Sequence, residues 1–187
     1  IVLISIDTLR SDRLPDWSGH TDLATPATPA TPAITRLVRD GLLFERAFAE
    51  VPLTLPSHSS LLTGLLPPAH GVRDNIGFAV DAARTPLLQQ RLQTLGYTTG
   101  AAVSAEVLAK RSGIAAGFDL YDEPAPFAAS GSGKPGTPRT AERPGGAAID
   151  AALRFLDGAG NRPPFLLLHL YEPHAPYRPA EPFRSRY

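Results

Sequence analysis

Three clusters of polar residues stand where their types and spacing could do chemistry. The first is Asp7, with Thr8 beside it, at the end of the apolar run "IVLISI". A carboxylate in that place can hold a hard cation, or it can cap a turn. The second is "VPLTLPSHSSLLTG", residues 51–64, which puts Thr54, Ser57 and His58 at the mouth of an amphipathic stretch closed by a glycine. A helix expected to start near Ser57 would offer unpaired N–H groups and a positive dipole end to an anionic group. A threonine hydroxyl there is a poor nucleophile until a base or a metal ionises it. Thr54, Ser57 and Ser59 can equally be ordinary capping residues. The third cluster is "YEPHAPY", where His174 lies between Pro173 and Pro176. A histidine held there can donate to an ester oxygen or protonate a leaving group. His169 falls inside the apolar run "PFLLLHL", so it reads as a core or supporting group. His20 and His70 sit in loop-like contexts. No G-x-S-x-G elbow is present, which speaks against a serine hydrolase.

The elements that must position these clusters alternate between strand and helix. "IVLISI" is a β-branched, continuous apolar run and predicts a strand buried on both faces of a parallel sheet. "ATPATPATPA" predicts a surface loop, because residues before proline favour extended backbone. "PAITRLVRDG" predicts a helix with Pro32 in its first turn and Gly41 as its stop, and "LLFERAFA" predicts a strand. "TPLLQQRLQTLG" predicts a helix capped by Thr85 and ended by Gly96, with Leu87, Leu88, Arg91, Leu92 and Leu95 on one face. "YTTGAAVSA" predicts a strand, "GAAIDAALRFLDGAG" a helix and "PFLLLHL" a buried strand. Residues 125–145, rich in Pro, Gly, Ala and Ser, predict a flexible excursion. The pattern is that of an α/β domain with a mostly parallel sheet. Ligands of such sheets sit beyond the carboxyl ends of the strands, where Asp7, Thr54–His58 and Glu172–His174 all fall.

Composition narrows the classes. The 187 residues are enough for one domain with a real core, and they carry 43% hydrophobic and 19% charged residues. Eighteen basic residues balance eighteen acidic ones, so bulk charge favours neither nucleic acid nor an anionic membrane. No apolar stretch is long enough to span a bilayer. Without cysteine there is neither a disulfide framework nor a thiolate metal site. The chain opens inside an apolar run and closes in a polar one, which suggests a fragment of a longer domain from which a leader could have been lost.

Together, "IVLISIDTLRSD", "TPAITRLVRDGLLFERAFA", "TLPSHSSLLTG", "LGYTTGAAVS" and "YEPHAPY" resemble, in order, the sulfatase family of the alkaline phosphatase superfamily. The resemblance covers nearly the whole chain. It implies a large α/β domain with a mostly parallel central sheet, of which this is the N-terminal part. It implies nucleophilic displacement at sulfur or phosphorus beside a divalent metal (Ca, Mn, Zn or Mg). Carried over residue by residue, Asp7 matches a metal ligand, Thr54 stands at the nucleophile and touches the metal, and His174 matches a substrate-contacting histidine that serves catalysis. Thr8 stands where many members have a second aspartate ligand, and a hydroxyl would replace it. His58 stands where an arginine is usual, and would touch substrate. Asn75 resembles an asparagine that contacts a phosphoryl oxygen in diester-cleaving relatives. Ser104 lies near the place of an absent Gly-Lys-Trp-His element, so it too becomes a substrate-binding expectation.

The departures from the pattern carry chemistry. Sulfatases oxidise a Cys or Ser to formylglycine, whose hydrated aldehyde attacks sulfur. Threonine cannot give that aldehyde, so Thr54 would act directly, as in the phosphoryl-transferring relatives. The expectation is a metal-dependent hydrolase of small-molecule or glycan sulfate or phosphate esters. A phosphoryl-group transferase and a non-catalytic binding module on the same fold are the alternatives. The fragment alone is expected to be inactive and to bind metal weakly, since Asp7, Thr54 and Thr8 are far from the ~6 oxygens a hard cation takes.

Overall fold

The structure, a computed structural model, describes residues 1–11, 14, 31–124, 143–177, 179, 181 and 183–186. It divides into two compact units, Leu9–Phe48 and a larger one formed by Ile1–Thr8 with Ala49–Tyr187. The smaller unit contains the helix α1, Pro32–Asp40, with proline in its first turn and Gly41 just past its end. That helix buries none of its residues. Residues 42–49 do not form the expected strand, and Leu42, Phe44 and Phe48 are exposed. Alternation of apolar and polar residues is not enough for a strand, because its backbone groups need a ladder partner. The Pro-Thr repeat lies outside the described residues up to residue 30, as do His20 and the 125–145 excursion up to residue 142.

The larger unit is built on four parallel strands: β1 (Val2–Ile6), β2 (Thr98–Val103), β3 (Leu120–Asp122) and β4 (Pro164–Leu170), in the spatial order β1-β4-β2-β3. β4 is central, and its apolar run is covered on both faces, with Phe165, Leu166 and Leu167 fully buried. β1 corrects the reading of its equally apolar sequence. It is an edge strand in the described fold, and Val2 and Ile4 are 50% and 51% exposed. Burial of a strand depends on its neighbours, which its own composition does not specify.

The two sheet faces have separate cores. On one face, helix α5 (Gly145–Gly158) buries Ala148, Ala151, Ala152 and Phe155 against Ala102, Leu166 and Leu168. Gly100 makes this possible, since a Cβ there would lie 2.6 Å from the Phe155 ring. On the other face lies α2 (Thr54–Thr63), whose Leu55 and Leu62 pack with Val103, Leu108, Ile114 and Leu167. The register pairs Leu3 with Leu167 and Ser5 with His169. Because side chains alternate along a strand, Ser5, Asp7 and His169 share the α2 side of the sheet with Leu167.

The helix boundaries differ from expectation where side chains compete for the backbone. α2 begins at Thr54, not near Ser57, with Leu53 in the N-cap position. Ser59 is not a cap either, for its hydroxyl donates back to the Leu55 carbonyl at 2.8 Å. Gly64 closes the helix in the left-handed conformation at φ 72°, its N–H on the Ser60 carbonyl. The short α3 (Pro67–His70) is held to α2 by His70, whose Nδ1 accepts from Val72 N–H at 3.1 Å and whose Nε2 therefore donates to Ser60 Oγ at 3.0 Å. α4 (Leu88–Thr94) starts after Leu87, and the Gln90 side chain accepts the Leu87 N–H at 2.8 Å in the manner of a capping box. Thr85 does not cap it, because its hydroxyl is spent on the Asp81 carbonyl at 2.8 Å. The buried face of α4 includes Gln89, which donates to the Ile114 and Ala116 carbonyls, whereas Leu95 is exposed. A short α6 (Phe183–Arg186) is the last described helix. Among the described residues, no helix is long and apolar enough to cross a membrane.

Candidate active site

The carboxyl end of β1 meets the N-terminus of α2. Asp7 continues β1 by donating its N–H to the Leu170 carbonyl at 2.9 Å, which fixes the carboxylate at the sheet's edge. Thr54, the first residue of α2, donates its hydroxyl to Asp7 Oδ2 at 3.0 Å. Residues 47 positions apart in the chain are thus joined through the two groups singled out as nucleophile and metal ligand.

Two histidines lie beneath this pair. His58, 6% exposed, places Nδ1 2.7 Å from the Thr54 carbonyl and Nε2 3.0 Å from Ser5 Oγ. A carbonyl can only accept, so Nδ1 carries the proton and, in the neutral ring, Nε2 accepts from the Ser5 hydroxyl. His169, fully buried, stands with Nε2 3.6 Å from Asp7 Oδ2 and its ring edge-on to His58, centroids 5.0 Å apart. Neither ring nitrogen of His169 has a hydrogen-bond partner among the described residues. The apolar neighbours along β4 are neighbours in sequence. Across the sheet the ring meets Asp7 and His58, so the core or supporting group expected from the sequence lies against the site's carboxylate and not among apolar side chains alone.

Charge follows from this packing. For Asp7, burial pushes the pKa up, but the His169 ring 3.6 Å away, the hydrogen bond from Thr54 and the more distant His174 together outweigh it, and the carboxyl lies below its usual range. For His58, burial and the neighbouring His169 push the pKa down to about 4, against the opposing pull of the Thr54 carbonyl and Asp7. His58 is therefore neutral at pH 7. Its folded pKa is below its unfolded value, so between pH ~6.5 and ~4 the unfolded chain binds the extra proton and stability falls as pH falls. The full loss is on the order of 3 kcal/mol. Urea denaturation of the wild type and of His58→Asn across that range checks it, since the variant should lack this part of the acid destabilisation.

The other expected residues take distinct places. Asn75 Oδ1 accepts the Leu55 N–H at 2.8 Å, so the side-chain amide caps the start of α2 from outside the helix. That bond also decides the amide's orientation and leaves its NH2 as the outward donor. Of the first-turn amides, Leu55 N–H is taken, Pro56 has none, and Ser57 N–H bonds the Leu53 carbonyl at 3.0 Å. The helix end thus offers an anion its dipole, the Thr54 amide and the Asn75 NH2, fewer N–H donors than the sequence suggested. His174 lies on a loop tied down at several points. Its N–H donates to the Tyr171 carbonyl at 2.9 Å, its Nδ1 lies 2.7 Å from the Ala175 carbonyl, and its ring lies tilted by 31° against Tyr171, centroids 4.4 Å apart. Glu172 anchors the loop by accepting the Gly145 N–H at the N-terminus of α5 with both oxygens, each at 3.1 Å. His174 Nε2 is left as the ring atom that can face a ligand. Thr8 is exposed and sits in the left-handed region at φ 53°, an unfavourable place for a β-branched residue. Ser104 is at the end of β2, but it is fully buried, its N–H on the His169 carbonyl and its own carbonyl accepting from Arg143 N–H, both at 3.1 Å. Arg143 in turn pairs with Asp122 at the end of β3. Ser104 and His58 are both enclosed by the fold, unlike Asn75 and His174, and that enclosure is at odds with the substrate contacts their positions in the motifs suggested.

A family model described as Sulfatase matches residues 1–187. The chain belongs to the sulfatase family. Its fold is shared with BT4656, solved with its substrate D-glucosamine-2-N,6-O-disulfate, at 21% identity and a TM-score of 0.75 over 96% of this chain and 35% of that one. It is shared with Ps i-CgsB, solved with k-i-k-neocarrahexaose, at 21% identity and a TM-score of 0.76 over 99% of this chain and 47% of that one. A protein of the alkaline phosphatase superfamily from Vibrio parahaemolyticus matches at 19% identity and a TM-score of 0.65, over 96% of this chain and 42% of its own. The sulfatase chain thus spans about a third to a half of the length of these neighbours. No curated protein matches it.

The sulfatase family implies a divalent metal, and the residues here fit one in kind. Asp7 Oδ2 and Thr54 Oγ1 are hard oxygen donors 3.0 Å apart in a half-buried place. Among the described residues no group of three or more His, Cys, Asp or Glu side chains could hold an ion, so these two would be part of a larger ligand set. Sequence reasoning took His169 as a core or supporting group and missed its approach to Asp7, which the strand register decides by setting it directly opposite Ser5, two residues before Asp7.

Proposed function

We propose that this chain carries the nucleophile half of a metal-dependent hydrolase of sulfate or phosphate esters, with Thr54 attacking directly and phosphate esters preferred. The observation that carries the reading is the hydrogen bond from Thr54 Oγ1 to Asp7 Oδ2 at 3.0 Å, made at the N-terminus of a ten-residue helix. Asp7 holds the hydroxyl proton, so the oxygen lone pairs turn away from β1 toward an incoming ester. A metal held by Asp7 and Thr54 would supply the positive charge that makes threonine ionise near neutral pH. The positive end of α2 and the outward NH2 of Asn75 bind the ester's anionic oxygens. His174, oriented by its contact with the Ala175 carbonyl, presents Nε2 and, as the cation, donates that proton to the leaving oxygen.

Phosphate is preferred because a threonine alkoxide suits in-line displacement at phosphorus, whereas sulfate cleavage in this family uses a formylglycine that threonine cannot form. A panel of matched nitrophenyl sulfates, phosphates and phosphodiesters on the full-length protein is expected to show faster turnover of a phosphate ester. Clear preference for the sulfate would overturn the inference from Thr54. The saccharides bound by BT4656 and Ps i-CgsB make sulfated glycans the first natural esters to include on the sulfate side. If the attacked group passes to an alcohol in place of water, the same site works as a phosphoryl transferase, and product analysis with an added alcohol separates the two. The exposed Thr8 in place of a second carboxylate favours a binding module without turnover as the second reading. Saccharide binding with no turnover of any ester in the panel would establish it.

A further inference from the structure

We propose that His58 is a positioning residue: a buried strut that joins Ser5 of β1 to the Thr54 backbone of α2 and so sets the separation of Asp7 and Thr54. The inference rests on the reading of Thr54 as the nucleophile and goes beyond it, because it assigns how the nucleophile is held.

The geometry is a closed circuit. Thr54 Oγ1 reaches Asp7 Oδ2 at 3.0 Å. From the same threonine, the carbonyl meets His58 Nδ1 at 2.7 Å. The far nitrogen, Nε2, meets Ser5 Oγ at 3.0 Å, and Ser5 precedes Asp7 by two residues on the same strand face. The first turn of α2 is therefore bound to β1 twice, once through the reacting hydroxyl and once through the imidazole. A single hydrogen bond lets a helix end pivot, whereas two that leave one residue in different directions fix its position and its rotation. His169 closes the side of the circuit, its ring edge-on to His58 at 5.0 Å and its Nε2 3.6 Å from Asp7. Imidazole suits the role because its two nitrogens lie on opposite sides of a rigid ring, one donor and one acceptor, matching a carbonyl on one side and a hydroxyl on the other. An arginine at this position would carry only donors and a charge into a place that is 6% exposed.

The test compares Ser5→Ala, His58→Asn and their double variant with Thr54→Ala, all in the full-length protein and with the nitrophenyl ester that the wild type turns over fastest. Asparagine keeps a short-side donor for the Thr54 carbonyl and cannot reach Ser5. Ser5→Ala and His58→Asn are each expected to lower kcat about 10–100-fold with KM unchanged, as sub-ångström to ångström misplacement of a reacting group does. The double variant should be no slower than the slower single one, because both break the same link. Nitrogen-15 NMR of histidine-labelled wild type should show His58 as the Nδ1–H tautomer. Wild-type kcat in both single variants, losses that multiply in the double variant, or an Nε2–H tautomer would each overturn the strut. Retained turnover in Thr54→Ala would instead overturn the nucleophile reading. The NMR readout uses the wild type alone, so it decides the matter even where a variant does not fold.

Discussion

Thr54→Ala in the full-length enzyme is expected to abolish ester turnover while leaving the fold in place. The substitution removes the oxygen that would attack, so no partial activity from a weakened nucleophile remains. Its structural cost is modest. Thr54 is the first residue of α2 and not its cap, so what is lost is one hydrogen bond to Asp7, worth about 1 kcal/mol. Alanine is otherwise well suited to a helix. The Asn75 cap on Leu55 stays. Asp7 loses one of the donors that hold its pKa down, so its carboxyl should titrate higher than in the wild type. Thr54→Ser keeps a hydroxyl at the same place and should retain turnover. Steady-state rates with the best ester, read beside a denaturation curve, check both halves. Near-normal turnover in a folded Thr54→Ala would remove Thr54 from the mechanism, and a loss of fold would mean that α2 depends on this hydrogen bond far more than its surroundings indicate.

His174→Ala should lower turnover by roughly 10²–10⁴-fold, the usual cost of losing a positioned acid–base group, with little change in melting temperature. The ring is half-buried on a loop, and its tilted contact with Tyr171 is its one described aromatic contact. The loop itself is held by Glu172 on α5 and would persist without the ring. His169→Ala makes the informative comparison. The sequence alone suggested a core or supporting residue whose loss acts mainly on stability. With Asp7 Oδ2 3.6 Å from its Nε2, the buried ring has a second role, and its loss should lower both stability and turnover. The stability cost is roughly the 2–5 kcal/mol of emptying a large side chain from a core. Turnover should fall because Asp7 loses a neighbour that favours its ionised form. Kinetics and melting temperature measured for both variants separate the roles. Near-normal turnover in His174→Ala would show that the loop histidine does not reach the ester.

Much of the fold was legible in the sequence, and for local reasons. The hydrophobic runs of β2 and β4, the helical period of α5 and the glycine stops after α1, α2 and α4 each follow from a few neighbouring residues. So does the placing of Asp7 and His174 beyond the carboxyl ends of β1 and β4, since strand-to-loop transitions are marked by polarity and proline, whereas Thr54 follows no described strand and meets that edge through its bond to Asp7. The order "DTLR", "TLPSH", "EPHAPY" was enough to name the family, because motif order survives where overall identity to the neighbours has dropped to about a fifth.

What tertiary structure decided is whatever depends on partners remote in the chain. "IVLISI" and "PFLLLHL" read alike, yet one is an edge and the other the centre of the sheet, because strand order is set by packing between elements. "LLFERAFA" alternates and still forms no strand, for want of a partner ladder. The start of α2 at Thr54 came from an amide contributed by Asn75, 20 residues away from the N–H it accepts. His58 looked like a residue facing substrate, and the fold turned it inward to meet Ser5, 53 residues earlier. His169 looked apolar in company, and strand register set it against Ser5 and brought Asp7 within reach. Hydrogen bonds and ion pairs need distances of a few ångströms between specific atoms. A one-dimensional pattern records which residues can make such contacts, and only the folded chain determines which of them meet.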